Sequence, residues 1–387
     1  MINQTRIHSE NTQLVQSKKY VTQTEDNIKL IERMLKSVKS VGKLITGSVR
    51  HNHTMRDCLN ARSEEYKSTF ETQVEPFSVN ETNTAIVRAS GVDSRSVNQF
   101  LIGKELGSGS FGRVFRAKCT ITSNEFACKV ISRSRLARKL RFTAKGLASP
   151  EAVKSEIRNE IEILKRLPAH PRIIKLHESI DDPNHDNIFL IFSLYPLGAV
   201  MTITAGSQCR PFSEHLSVRY IQDVVAGLGF LHSNRVIHHD IKPENIFLCE
   251  DDHLVIGDYG VSHFFMAGQN EGLTVNKRTS PAFCAPEMLT GKAKPLDGRA
   301  LDIWALGVTF YCFLHGRLPF EETEMMPLTG SILKAKFTLR ADLSEHMRVL
   351  MTKILEKVVT KRIKLAGISK LLCFNPPIPM SSPAFMI

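Results

Sequence analysis

Apolar positions change period along this chain. From Phe100 they recur in short runs separated by glycine and polar turns. The stretch "NQFLIGKELGSGSFGRVFRAKC" reads as strand, glycine turn, strand, and "NEFACKVIS" as a further strand entered through a turn at Ser123 and Asn124. The period then becomes helical in "EAVKSEIRNEIEILKRL", where Val153, Ile157, Ile161 and Leu164 share one stripe. "IIKLHESI" and "NIFLIFSLY" return to strand character, so a mostly stranded lobe is expected to end near Tyr195. Beyond it, "SEHLSVRYIQDVVAGLGFLHS" predicts a helix opening on Ser213, with Glu214 in the first turn where the helix dipole favours an acid. "ALDIWALGVTFYCFLHG" is almost wholly apolar, but about 17 residues edged by Asp302 and His315 fit a helix buried in a helical lobe better than a membrane span. "SEHMRVLMTKILEKVV" predicts another helix. The expected fold class is α+β and bilobal: a small, mostly antiparallel sheet lobe with one key helix, a larger helical lobe, and a cleft between.

Two segments break this pattern. Residues 1–98 are rich in Ser, Thr, Asn and Gln and poor in apolar residues, so most of this extension is expected to be disordered. Within it, residues 27–45 place Ile28, Ile31, Leu35, Val38, Val41 and Ile45 at helical spacing, with Lys29, Arg33, Lys36, Lys39 and Lys43 elsewhere. Such a basic amphipathic helix could make weak contact with an anionic membrane surface or enter a calmodulin-like groove. The plainer reading is packing on the folded domain or transient helix, and Gly42 weakens each. Residues 132–150 hold six basic residues and no acid, and are expected to form an inserted basic loop rather than a core element. The expected organisation is an N-lobe over 99–195, a C-lobe over 196–376 and a short tail over 377–387.

Composition narrows the choice only a little. Apolar residues at 42% and charged residues at 23% suit any soluble enzyme of 387 residues. A formal charge of +12 suits nucleic acid, acidic proteins, anionic membrane or a charged nucleotide. The basic regions show no zinc-finger spacing and no aromatic stacking platform, so nucleic-acid binding is not expected. The eight cysteines, at 58, 119, 128, 209, 249, 284, 312 and 373, form no close pairs. Free thiols in a reducing compartment, cytoplasmic or nuclear, are expected. No apolar run approaches membrane-spanning length, so no transmembrane segment is expected.

The chemistry lies in a series of short motifs. "GSGSFGRV" matches G-x-G-x-x-G-x-V at Gly107, Gly109, Gly112 and Val114. A dinucleotide site would need a helix straight after these glycines, whereas "RVFRAK" predicts a strand, which gives a hairpin suited to covering ATP phosphates. Lys129 stands in the apolar setting "FACKV", with Glu160 as candidate partner and Glu156 and Glu162 as competitors. In "RVIHHDIKPENIFL", Asp240 could orient the proton of an attacking hydroxyl, Lys242 could stabilise charge on a transferring phosphoryl group, and Asn245 could bind a metal. Asp258 in "VIGDYG" follows a strand and, with Asn245, supplies the hard oxygen ligands that Mg²⁺ prefers. A lone loop aspartate is usually a cap or a solvated charge. Here the glycine hairpin and five polar residues occur in one consistent order.

Over residues 100 to about 370 that order resembles the protein kinase superfamily. The matching residues are Gly107, Gly109 and Gly112; Lys129; Glu160; His238, Asp240, Lys242 and Asn245; Asp258 and Gly260; and Ala285, Pro286 and Glu287. "LDIWALG" is similar to the central helix of the family's larger lobe, which implies that Asp302 braces the catalytic loop and that Arg362 pairs with Glu287. More closely, the chain resembles the calcium/calmodulin-dependent protein kinase kinases and related activators of AMP-activated-type kinases. That likeness rests on "SVNQFLIGKELGSGSFG", the basic insert, "LHESIDDPNHDNIFLIF", "GDYGVSHFF", "SPAFCAPEML" and "ALDIWALGVTFYCFLHGRLPF". It implies that Phe192 is the gatekeeper, that residues 193–195 form the hinge, and that Phe247 lies under adenine. It also implies that Leu106, Ser108, Ala127 and Leu194 complete the ATP pocket. ATP and Mg²⁺ are then the cofactors, and the expected partner is a protein substrate, itself a kinase, phosphorylated on Ser or Thr. The basic insert is associated in that family with substrate recognition, and Lys242 in "DIKPEN" is typical of the serine/threonine class.

The chain departs from the family at several points. His239 stands where arginine is usual, and Asn276 stands at the usual activation-loop phosphosite. The two changes agree, and predict a loop held active without phosphorylation there. Tyr259 replaces a phenylalanine and needs a partner for its hydroxyl. Ser280 replaces threonine but keeps a hydroxyl that can brace Asp240, Thr279 replaces glycine, and Val358 and Val359 stand where Asp-Pro is common. After Arg362 only 25 residues remain, without the basic amphipathic helix of calmodulin-regulated relatives. Calmodulin binding is therefore expected to use residues 27–45 or to be absent. The alternative class, a catalytically weak pseudokinase acting as scaffold or allosteric partner, is suggested by His239, Tyr259 and Thr279. No phosphate, metal or proton-handling residue is lost, so an active enzyme is the leading expectation.

Overall fold

The computed structural model describes residues 79–89, 95–109, 112–143, 160–265, 272–273, 280–290 and 296–373. The amphipathic segment 27–45, the tail 377–387, Asn276 and Thr279 lie outside the described residues.

Alternation of buried and exposed side chains builds the smaller lobe. Strand β4 (Phe100–Ser108) buries Phe100 and Ile102, and β5 (Arg113–Cys119) buries Ala117 and Cys119. Strand β6 (Glu125–Ser132) carries Cys128 and Ile131 inward. Strands β7 (Leu176–Ile180) and β8 (Asn187–Ser193) are buried along most of their length, since both faces are covered. Three more strands, β1 (Asn80–Thr82), β2 (Val87–Ala89) and β3 (Arg95–Val97), join the same sheet, which therefore reaches back past the boundary expected at residue 99. The order is β1-β7-β8-β6-β5-β4-β3-β2. All pairings are antiparallel except β1 with β7.

The basic segment 132–150 corrects an expectation. It was expected as a loop, but Arg133–Thr143 is a helix, α1. Ser132 Oγ accepts the Arg135 N–H at 3.1 Å, an N-cap contact, and Leu136 is buried in the core. Arg133 pairs with Asp181, and the Ser134 N–H donates to Asp186 Oδ1 at 2.9 Å. The density of charge hides a short apolar anchor on one face. Arg135 and Arg138 remain exposed.

The second helix of this lobe, α2, is described over 160–166 and buries Ile161, Ile163 and Leu164. In the larger lobe, α3 (Glu214–Ser233) starts as expected, with Ser213 Oγ accepting the Leu216 N–H at 3.2 Å. Strands β9 (Val236–Ile237), β10 (Ile246–Leu248), β11 (Leu254–Ile256) and β12 (His263–Phe264) form two small ribbons, β10 with β11 and β12 with β9. The short helix α4 (Pro286–Leu289) leads towards α5 (Gly298–His315), which is buried from Ala300 to Leu314 and is capped by Asp297. Helix α6 (Met325–Lys334) packs on α4, α7 (Glu345–Ile354) packs on α5, and α8 (Leu365–Cys373) packs on α3 and α7. Among the described residues no helix is long and apolar enough to cross a membrane.

An ion pair ties the outer layer to α5. Arg362 Nη1 and Nη2 donate to the Glu287 carboxylate at 2.7 and 2.9 Å, Nη1 also reaches the Ala300 carbonyl at 2.8 Å, and the guanidinium lies over the Trp304 ring. The fork of one arginine thus fixes α4 against the central helix.

His315, at the end of α5, stacks on Tyr311 with ring centroids 3.8 Å apart. Its Nδ1–H donates to the Tyr311 carbonyl at 3.1 Å, and Nε2 accepts the Arg340 N–H at 3.1 Å. This is a neutral imidazole. Burial pushes its pKa down to about 4 from the ordinary 6.5, outweighing the Tyr311 hydrogen bond. Its contribution to stability is complete above pH 6.5 and is lost as the pH falls towards about 4. His170 and His177, each held near 4 by burial, act in the same direction. Denaturant unfolding of His315→Asn at a series of pH values is expected to show a shallower loss of stability across this window than the unaltered chain. An unchanged slope would contradict the assignment.

Candidate active site

The site is built where the sheet lobe meets the end of β9. Gly109 N–H donates to the Gly112 carbonyl at 2.8 Å, closing the β4–β5 turn. A Cβ at Gly112 would collide with the Val130 carbonyl oxygen, so this turn lies close to the neighbouring strand. Register then places the lining. Gly107 is opposite Val114, Val114 is opposite Lys129, and Ala127 is opposite Phe192. Val114, Ala127, Lys129 and Phe192 therefore share one face of the sheet. Leu106 and Ser108 are exposed on β4, and Leu194 is half-buried just beyond β8. Phe247 on β10 stacks on Tyr195, with centroids 5.9 Å apart. Gly257 makes room for Phe247, since a Cβ there would stand 2.6 Å from its ring.

Lys129 joins three elements. Its Nζ donates to Glu160 Oε1 at 2.6 Å and to Asp258 Oδ1 at 3.0 Å. Glu160 is therefore the partner selected on α2. Glu162 pairs instead with Arg166 at the surface, and Glu156 lies outside the described residues. Burial alone would lower the Lys129 pKa, but the charges of Asp258 and Glu160 hold it above its ordinary value. Burial would likewise raise Asp258, yet Lys129 keeps it below the usual carboxylate range. Both groups are ionised at neutral pH.

The catalytic-loop candidates converge on one carboxylate. Asp240 Oδ2 accepts Lys242 Nζ at 2.7 Å and Asn245 Nδ2 at 2.9 Å, while Oδ1 accepts the Ser280 hydroxyl at 3.1 Å. Lys242 Nζ also donates to Ser280 Oγ at 2.8 Å. Ser280 thus braces Asp240, as its hydroxyl suggested. The loop is anchored by Asp302, which is fully buried on α5. Its carboxylate accepts the N–H groups of His238 and His239 at 2.9 and 2.8 Å and the His232 Nε2–H at 2.8 Å. Burial raises the Asp302 carboxyl, but the His232 hydrogen bond and nearby imidazoles bring it below the ordinary value. His238 Nε2–H donates to the Gly257 carbonyl at 3.0 Å, linking this loop to the Asp258 turn.

His232 was not legible as a site residue. A single histidine ending an apolar helix reads equally well as a core residue, and only the fold brings Asp302 to it. Tyr259 is fully buried, lies edge-on to His238, and its hydroxyl comes only to 3.5 Å from the Ile256 carbonyl. The expected need for a partner is met weakly.

The donor set fits a hard divalent cation. Asn245 commits Nδ2 to Asp240, and Asp258 commits Oδ1 to Lys129, which leaves Asn245 Oδ1 and Asp258 Oδ2 without a protein partner among the described residues. The Gly257 N–H donates to the Asn245 carbonyl at 2.9 Å, so β10 and β11 bring the two side chains to one end of a ribbon. Two protein oxygens suit Mg²⁺, which completes its shell with water and phosphate. Asn245 and Asp258 are the residues that would hold it.

A protein kinase domain family model matches residues 100–372. Serine/threonine-protein kinase ssp1 of Schizosaccharomyces pombe is 35% identical over 280 residues, covering 70% of this chain and 42% of that protein. Calcium/calmodulin-dependent protein kinase kinase of Caenorhabditis elegans is 32% identical over 301 residues, covering 74% of this chain and 54% of that protein. Serine/threonine-protein kinase GRIK1 of Arabidopsis thaliana is 31% identical over 305 residues, covering 76% of this chain and 71% of that protein. The chain thus spans about half or less of two of these relatives.

If Asp302 sets the position of Asp240, then Asp302→Asn, which removes the charge and one acceptor, is expected to lower kcat for phosphoryl transfer by about 100-fold. The KM for ATP should barely change, because Lys129 and the glycine turn are untouched. Steady-state kinetics at varied ATP check the split, and an equal loss in both parameters would count against it.

Proposed function

Because the chain belongs to the protein kinase superfamily, we propose that it transfers the γ-phosphoryl group of ATP to a serine or threonine in the activation loop of another kinase, of AMP-activated or calmodulin-dependent type. The observation that carries transfer is the shared hydrogen-bonded set of Asp240, Lys242 and Ser280, which stands beside the Lys129 ion pairs. Asp240 would accept or orient the proton of the incoming hydroxyl, and Lys242 would offset charge on the group in transit. Magnesium held by Asn245 and Asp258 would screen the phosphate charge. A kinase as acceptor is supported by the name of the nematode relative, a protein kinase kinase, and by the exposed basic residues Arg135 and Arg138 of α1.

The pseudokinase alternative rests on His239, Tyr259 and Thr279. Of these, Tyr259 still fills a buried site, and His239 contacts Asp302 only through its main chain among the described hydrogen bonds. Neither displaces a group that handles phosphate, metal or proton.

A radiolabelled Mg-ATP assay with an inactive AMP-activated-type kinase as acceptor tests the reading. Transfer is expected from the unaltered chain and not from Asp240→Asn or Lys129→Met. Equal signal from all three would end the enzyme reading. Labelling of a generic basic protein but not of kinase activation loops would end only the choice of acceptor.

Burial pushes the His239 imidazole below its ordinary pKa, against the pull of Asp302, so it offers no permanent charge to a loop phosphate. Together with Asn276, this supports a loop that works without phosphorylation. Phosphatase treatment is expected to leave most activity in place. A large loss that maps to Thr274 or Thr279 would contradict it.

A further inference from the structure

Strands β1 and β2 are separated by only four residues, 83–86, yet they stand at opposite ends of the eight-stranded order. Thr82 and Val87 are five residue steps apart, at most about 18 Å, so the sheet is curled until its two edges approach each other. Residues 79–89 act as a strap across that gap. The strap is bonded on both sides. On one, Thr82 Oγ1 donates to Glu178 Oε1 at 2.7 Å, the Asp181 N–H donates to the Thr82 carbonyl at 2.9 Å, and the Ala85 N–H donates to Asp182 Oδ2 at 3.1 Å. On the other, the Ile86 N–H donates to Asn98 Oδ1 at 2.8 Å, and the Asn98 N–H returns to the Ile86 carbonyl at 3.0 Å.

The strap also reaches the helix that carries Glu160. Glu81 Oε1 lies 2.6 Å from Lys165 Nζ, and Val79 packs against the core cluster that contains Ile161 and Leu164. Lys165 follows Glu160 by five residues on α2, about 7.5 Å along the axis. One side chain of α2 is therefore held by Lys129 and another by β1. Glu178, buried on β7, accepts from Thr82 and also from Gln99 Nε2 at 2.8 Å, so it ties β1 to the approach to β4.

We propose that β1 positions α2, and that Glu81 and Thr82 are positioning residues for the Lys129–Glu160 pair. Without the strap, α2 keeps its buried apolar face but loses a lateral fix. Glu160 then spends less time within reach of Lys129. The effect falls on nucleotide binding, because Asp240, Lys242 and Ser280 are anchored by α5 instead. The inference rests on the nucleotide reading of Lys129 and Glu160, and it is independent of which protein is phosphorylated.

The test uses the full chain with Glu81→Lys, Lys165→Glu, the double exchange and Thr82→Val. Glu81 is 61% exposed at the side chain, so its reversal is expected to be tolerated by the fold, whereas Lys165 is 19% exposed and its reversal is read beside its unfolding midpoint. Each single reversal should raise the KM for ATP about threefold with kcat nearly unchanged, and the double exchange should restore it. Hydrogen exchange of the nucleotide-free chain gives a readout apart from activity. Amides of 160–166 should exchange about threefold faster in Glu81→Lys and Thr82→Val and return to the unaltered rate in the double exchange of Glu81 and Lys165. Unchanged KM and exchange in the single variants would overturn the proposal, as would a double exchange that fails to restore them. A loss of KM and kcat together, accompanied by a lower unfolding midpoint, would show a merely structural role and also overturn it. Failure of the unaltered chain to bind ATP would instead overturn the functional reading on which the inference stands.

Discussion

A carboxylate sealed from solvent determines much of this site. Asp302 is fully buried, and three donors converge on its charge: the His238 and His239 N–H groups and the His232 ring. Two of those donors are main-chain groups of the catalytic loop. The requirement to satisfy Asp302 thus becomes a constraint on the backbone just before Asp240. His239 accordingly takes a left-handed φ of 68°, a conformation that a non-glycine residue adopts only when its surroundings impose it. Asp302 itself sits on α5, whose own Trp304, Phe310 and Phe313 are fully buried in the core of the larger lobe. The chemistry at Asp240 therefore inherits its rigidity from the hydrophobic core of the larger lobe.

The nucleotide side of the cleft follows a different logic. One buried lysine faces two carboxylates, Glu160 on α2 and Asp258, whose side chain is 38% exposed. Burial raises the Glu160 carboxyl, while Lys129 holds Asp258 below the usual carboxylate range. A divalent cation at Asn245 and Asp258 would meet an ionised carboxylate already shared with Lys129. Asp258, also at a left-handed φ of 58°, would serve both Lys129 and that cation. The two halves of the site are then anchored separately, one by α5 and one by α2 with the sheet.

These halves were unequally legible in the sequence. Asp240, Lys242, Asn245 and Asp258 lie within short motifs whose local spacing already implies a shared loop or ribbon. Glu160 could not be separated from Glu162 by order alone. The helix decides, turning Glu162 outward to Arg166 and Glu160 towards Lys129. The first three strands escaped notice for a related reason. Their residues are largely exposed and polar, and β1 is fixed by partners in β7, 96 residues away at Thr82 and Glu178. Alternation carries no signal when a strand is held mainly by its edge hydrogen bonds. In α1, five basic residues masked a helix that Leu136 anchors in the core.

The histidine at 239 is consistent with how the following segment is joined to the loop. Burial, against the pull of Asp302, holds the His239 imidazole below its ordinary pKa, so this position carries no permanent charge where an arginine would. The segment after Asp258 is instead stitched to the catalytic loop by its own backbone and a hydroxyl. β12 pairs with β9, the Phe265 N–H donates to the Arg235 carbonyl at 3.0 Å, and the Ser262 hydroxyl donates to the His238 carbonyl at 3.1 Å. These contacts join the start of the segment to the catalytic loop through a short ladder of neutral hydrogen bonds.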